Sequence, residues 1–205
     1  LRKLAGDAAK AVLEKAIATG KGKGDRADAS SKGKRDGGWL KNDAELRWIW
    51  DESGGKNGQE LWFRKSFEFP TGADVKSARI YTTCDNRMTL WVNGEEAGTS
   101  RDWPYPIEID EEAPAMLPPG KNVIAIEAKN AGGTAALLFK LEAKLADGSV
   151  LSVISNPDWN LTSAKPGEGW QAIDFDDSAW NEKVVARQKI GGGPWGIPNY
   201  TSQPR

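Results

Sequence analysis

The residues with most to offer chemically are Asp85-Asn86-Arg87 and Arg101-Asp102-Trp103, with Tyr105 just after them and Trp195 far downstream. Together they supply carboxylates, an amide, guanidinium groups and flat rings. A sugar presents an apolar C–H face and a rim of hydroxyls, so a flat aromatic beside fixed polar groups is the inventory its recognition requires. What bond cleavage usually needs is missing. The chain contains no histidine, which removes the usual general base, the Ser-His-Asp and Cys-His arrangements and the commonest transition-metal ligand. Its one cysteine, Cys84, can form neither an internal disulfide nor a thiolate zinc cage. Asp176 and Asp177 are adjacent, so in an extended chain they point to opposite faces, whereas a glycosidase needs two carboxyls facing one bond about 5 to 9 Å apart. They read instead as turn caps before Trp180.

Charge names no partner. With 28 basic and 29 acidic residues the net charge is −1, so no global field attracts nucleic acid or an anionic membrane surface. No apolar leader opens the chain, and nothing approaches 18 consecutive apolar residues.

These residues need a scaffold, and the apolar periodicity supplies one. From Leu1 to Thr19 the apolar positions Leu4, Ala5, Ala8, Val12, Leu13, Ala16 and Ile17 follow helical spacing, predicting an amphipathic helix over residues 1–20. Residues 21–38 contain almost nothing able to enter a core and predict a flexible linker. From Trp39 to residue 205 the period changes to two. Leu137, Phe139, Leu141, Ala143 and Leu145 alternate with Leu138, Lys140, Glu142 and Lys144, the pattern of a strand with one covered face. Asn93-Gly94 between 88–92 and 95–99 predicts a two-residue hairpin, and Asp147-Gly148 another. Further strands are expected at 46–50, 61–69, 77–84, 107–109, 123–128 and 150–154. Strands at this density, with no convincing helix after residue 40, predict an all-β, two-sheet antiparallel sandwich.

Chain direction then brings the polar residues together. Strand 88–92 leaves the Asp85-Asn86-Arg87 turn and strand 95–99 returns, so Arg101-Asp102-Trp103 should lie near Asp85. If 61–69 and 77–84 also run antiparallel, the loop 51–60 opens at the same end.

Several segments, in order, resemble one family: Trp48-Ile49-Trp50, Phe63-Arg64-Lys65-Ser66-Phe67, Leu90-Trp91-Val92-Asn93-Gly94, Leu117-Pro118-Pro119-Gly120-Lys121-Asn122-Val123, Asp158-Trp159, and Phe175-Asp176-Asp177-Ser178-Ala179-Trp180. They are similar to galactose-binding-like jelly-roll sandwiches, such as the N-terminal modules of α-L-rhamnosidases and of family 2 glycoside hydrolases. The resemblance covers roughly residues 45 to 196. It implies an accessory module of a large secreted bacterial protein, extracellular or periplasmic, with poly- or oligosaccharide and neighbouring domains as partners, and with neither nucleic acid nor membrane. Catalytic carboxylates of the rhamnosidases belong to a separate helical barrel, of which nothing is present here. Modules of this fold often hold a structural calcium, yet no 12-residue Asp-rich loop with calcium spacing occurs, so no cofactor is assigned. The sequence departs from its relatives at Asp85-Asn86-Arg87, where two acidic residues are often found.

Strand tryptophans (Trp48, Trp50, Trp62, Trp91) read as core, and Trp159 and Trp180 as fold motifs. Trp103 differs because Pro104 and Pro106 hold it in a loop. It is the first candidate platform for a ring to stack on. Trp195 is the second, with closure of a terminal segment onto the sandwich as its other reading. The sequence therefore predicts a non-catalytic carbohydrate-binding module using Trp103, Tyr105, Arg101, Asp102, Asp85, Asn86, Arg87 and Trp195. The alternative is a structural or protein-interaction sandwich without its own ligand.

Overall fold

The computed structural model describes residues 38–41 and 43–196. The predicted helix over 1–20 and nearly all of the predicted linker lie outside them. A short helix, α1 (Gly38–Lys41), leads into strands β1 (Arg47–Trp50), β2 (Glu60–Phe69), β3 (Val75–Asp85), β4 (Arg87–Val92), β5 (Glu95–Ser100), β6 (Ile107–Ile109), β7 (Gly120–Lys129), β8 (Ala136–Leu145), β9 (Val150–Ile154), β10 (Asn160–Thr162) and β11 (Val185–Lys189). All pairings are antiparallel. One sheet runs β11-β1-β8-β3-β6 with β9 also on β8; the other runs β10-β2-β7-β4-β5. Consecutive strands β3 and β4 thus belong to different sheets, and the chain crosses between them at Asn86.

The two sheets close over one core. Ile80, Cys84, Leu90, Ile126, Leu137, Phe139 and Leu141 interleave there, all fully buried, as alternation on facing strands requires. Cys84 lies among them, and burial pushes its thiol pKa well up, so it is an inert core group. The Asn93-Gly94 turn has φ values of 55° and 92° and is flanked by the pair Val92↔Glu95. Those positive angles are the reason for Asn-Gly at this point.

Both outer faces are also covered, which alternation alone did not predict for β8. Leu138 and Lys140, expected on the open face, are buried. They lie under α1 and the terminal segment, where Leu40, Leu46, Trp48, Tyr81, Ala136, Leu138 and Trp195 form a second cluster. The Lys140 ammonium is satisfied there by the Trp39 carbonyl at 2.8 Å and Asp43 at 2.9 Å, and it lies 5.0 Å from the Trp39 ring centroid. Burying an ammonium group without such partners is costly.

The other sheet is covered by a strap, residues 163–183, whose Trp170 packs on Trp62 and Ala125. Arg64, 1% exposed, clamps it. Its Nε donates to Asp177 at 2.8 Å, its terminal nitrogens donate to the Trp170 and Ala172 carbonyls, and its guanidinium lies 5.3 Å from the Phe175 ring centroid and 6.0 Å from that of Trp180. Asp177 therefore faces Arg64, while the neighbouring Asp176 carboxylate accepts from the Ser178 backbone at 3.0 Å. The two acids serve separate ends, as adjacent positions dictate.

Arg64→Met keeps the apolar stem but removes several charge-assisted hydrogen bonds, each contributing about 1.5–3 kcal/mol. Urea unfolding should therefore show a loss of about 2–4 kcal/mol, and limited proteolysis should cut first within 163–183. An unchanged midpoint would mean that the strap is held by its rings alone.

Candidate functional site

The loops expected to meet do so, and a fourth joins them. Asn86 is the centre: its backbone N–H donates to the Lys129 carbonyl at 3.1 Å, its Oδ1 accepts from the Ala131 N–H at 2.7 Å, and its Nδ2 donates to Asp102 Oδ1 at 3.4 Å. The loop 130–135, between β7 and β8, is laced in turn to 51–60. Gly58 N–H donates to the Asn130 carbonyl at 2.8 Å, and Asn130 N–H to that of Gln59 at 2.9 Å. Gln59 ties loop 51–60 together through bonds to both Trp50 and Asp51, while Asn57, Glu52 and Glu60 bond outward to Gly133, Lys183 and Lys129.

Loop 101–106 is held mainly through its backbone. Thr83 Oγ1 donates to the Trp103 carbonyl at 2.8 Å, Ser100 Oγ to the Tyr105 carbonyl at 2.6 Å, and Asp102 Oδ1 accepts from the Trp103 N–H at 2.9 Å. A loop pinned by its carbonyls can present side chains without depending on them for its shape. Trp103 and Tyr105 are partly buried, and Arg101 is exposed. Trp103 also touches the second cluster, so it has a packing role besides any ligand role.

Trp195 takes up the second of its two readings. It is 1% exposed, stacks on Trp48 with centroids 5.0 Å apart, and donates from Nε1 to Asp85 Oδ2 at 2.8 Å. Its ring faces are occupied by protein, so it closes the terminal segment onto the sheet and offers a sugar no surface. The residue still belongs to the site, because it orients Asp85. That link joins two positions 110 residues apart, and only the open choice between ligand and closure hinted at it.

Asp85 is partly buried at the end of β3. Burial raises its pKa, and the like charge of Asp102 adds to the rise, against opposing hydrogen bonds from Trp195 and Asn86. Among the described residues no lysine or arginine forms an ion pair with either carboxylate. Among them, too, no group of three or more Asp, Glu, Cys or His stands together as a metal cage. Arg87 and Arg101, both exposed, instead line an open groove with Thr89, Thr99, Glu127 and Lys129. Its β7 wall, Glu127 and Lys129, was missed at the sequence level. Strand alternation puts both on one face, but which strand lies beside β4 is not written in either segment.

Compared with known proteins, the chain matches no protein-family model. It is 31% identical to an α-L-rhamnosidase of Streptomyces avermitilis over 73% of its own length and 15% of that protein's. A crystal structure of the Streptomyces avermitilis α-L-rhamnosidase complexed with L-rhamnose superimposes with a TM-score of 0.68 at 28% identity, covering 78% of this chain and 16% of that one. The lectin of Pleurotus ostreatus in complex with GalNAc gives 0.67 at 26% identity, covering 78% and 45%. The chain thus spans about one sixth of that rhamnosidase and under half of the lectin. Its fold is an all-β sandwich consistent with a galactose-binding-like module, similar to the rhamnosidase modules that its motifs resemble.

A raised pKa at Asp85 carries a stability consequence of definite sign. The folded state binds the proton more tightly than the unfolded chain, so this group's contribution is most favourable below the ordinary carboxylate pKa and is lost as pH rises through the raised value. Asp85→Asn can still accept from Trp195 while removing the charge. At pH 7 it should raise the unfolding midpoint by roughly 1–4 °C, with the gain shrinking as pH falls through the carboxylate range. A variant less stable than the parent at pH 7 would contradict this.

Proposed function

We propose that this module binds a saccharide at the rim formed by Asp85, Asn86, Asp102 and Trp103, with Tyr105 beside them, and breaks no bond in it. The observation that carries the reading is Asp85 itself. A carboxylate set beside a second one, partly buried and without an internal cation, costs stability that the fold has no need to lose, and such costs gather at functional sites. Oriented by Trp195 and Asn86, two carboxylates are suited to accept hydrogen bonds from sugar hydroxyls, with Trp103 beside them for a C–H face.

Kinship supports the same reading. The related Streptomyces enzyme is complexed with L-rhamnose and the related lectin with GalNAc, so both sugars are the first ligands to try. As an accessory module of a glycan-handling protein it would work outside the cytoplasm, in the extracellular or periplasmic space, beside catalytic domains that this chain does not contain. One observation favours the rival reading of a structural or protein-interaction module: Trp195 from the terminal segment already occupies one oxygen of Asp85.

Titration calorimetry with L-rhamnose, GalNAc and oligosaccharides ending in them should detect binding that Asp85→Asn weakens at least tenfold, since a hydrogen bond to a charged group contributes about 1.5–3 kcal/mol. Trp103→Ala should weaken it comparably while lowering the melting temperature by a few degrees only, near ~2–6 °C. No saccharide binding by the intact chain would leave the scaffold reading in possession. In the same samples no reducing ends should appear; their release would make the Asp85–Asp102 pair catalytic.

A further inference from the structure

We infer that the groove beside the rim takes the carboxylate of an acidic saccharide, a uronate unit adjoining the sugar held at Asp85 and Trp103. This rests on the saccharide-binding reading above. The groove encloses about 510 Å³ on the outer face of the β4-β5-β7 sheet, beyond the edge of the strap.

Register decides its charge. Arg87 pairs with Lys129 on β7, and Met88 pairs with Ser100, the last residue of β5; Arg101 follows Ser100 and lines the groove with Arg87 and Lys129. Three cations therefore gather at one end of the groove, two on the neighbouring strands β4 and β7 and one just past the end of β5. Like charges directly opposite one another destabilise a sheet. Lys129 is relieved by Glu60 at 2.5 Å. Among the described residues no ion pair or side-chain hydrogen bond relieves Arg87 or Arg101. The next row on the same face holds Glu127, Thr89 and Thr99, one carboxylate and two hydroxyls.

Two guanidinium groups that line one open groove, neither in an ion pair among the described residues, match an external carboxylate, which the planar fork grips with two parallel hydrogen bonds. The row of Glu127, Thr89 and Thr99 has the acceptors and donors that ring hydroxyls need. Position points to a glycan over a phosphate polymer. Glu127 lines the groove itself, Arg87 is two residues from Asp85 and Arg101 adjoins Asp102, so carboxylates in and near the groove would repel densely spaced phosphates while tolerating one charge per sugar.

Affinity electrophoresis of the intact chain through polygalacturonate, neutral galactan and chondroitin sulfate tests this, with R87Q/R101Q and Asp85→Asn run alongside. Polygalacturonate should retard the parent chain several-fold more than galactan, and the double variant should lose about tenfold in uronate affinity and with it the preference. Its melting temperature should hold or rise, because a cluster of like charges has been relieved. Equal retardation by uronate and neutral polymers, or a double variant that keeps the preference, would sink the groove while leaving the rim reading standing. Stronger retardation by the sulfated polymer would also overturn the carboxylate assignment. Uronate retention that Asp85→Asn leaves intact, with no neutral ligand held by the parent, would keep the groove and discard the rim.

Discussion

The structure depends on both outer faces of the sandwich being roofed by chain from outside the core strands. A jelly roll needs only its inner faces buried, yet here α1 and the segment ending at Trp195 cover one sheet, and the strap clamped by Arg64 covers the other. Each roof is an aromatic cluster tied down by one buried cation, Lys140 in the first and Arg64 in the second. The surface these roofs leave uncovered includes the end where β3 passes to β4 and the groove over β4, β5 and β7. Position of the candidate site follows from where the roofs stop.

That end of the sandwich is stiff in a particular way. Asn86 bonds to β7, to the loop after it and to Asp102, so three loops share one anchor. Loop 101–106 is fastened through carbonyls, and Asp85 through one oxygen to Trp195. Preorganisation of this kind reduces the entropy lost when a ligand is immobilised. The same arrangement sets the like charge of Asp102 near enough to Asp85 to add to the rise in its pKa.

The core was legible because its signals are local. Alternation over Leu137–Leu145 and the Asn93-Gly94 turn are properties of a few neighbouring residues, and they located β4, β5 and β8 to within a residue or so. The short strands β10 and β11 were missed, since Asn160–Thr162 has three residues and Val185–Lys189 alternates weakly; each pairs at a sheet edge to a partner far away in the chain. Of the site, convergence of three loops followed from strand direction alone. The burial of Trp195, the fourth loop and the cation cluster did not, because each depends on register or on a segment folding back across more than 100 residues, and a single sequence carries no signal for such distances.

Saccharide recognition is proposed for the β3–β4 crossing. Chemical-shift mapping by NMR on the nitrogen-labelled chain, titrated with L-rhamnose and with GalNAc, addresses it residue by residue. Shifts confined to Asp85–Arg87, Arg101–Tyr105 and the Ala131 amide are predicted for at least one of the two. Shifts centred on the Trp170–Trp180 strap, or a spectrum that neither sugar moves, would contradict it.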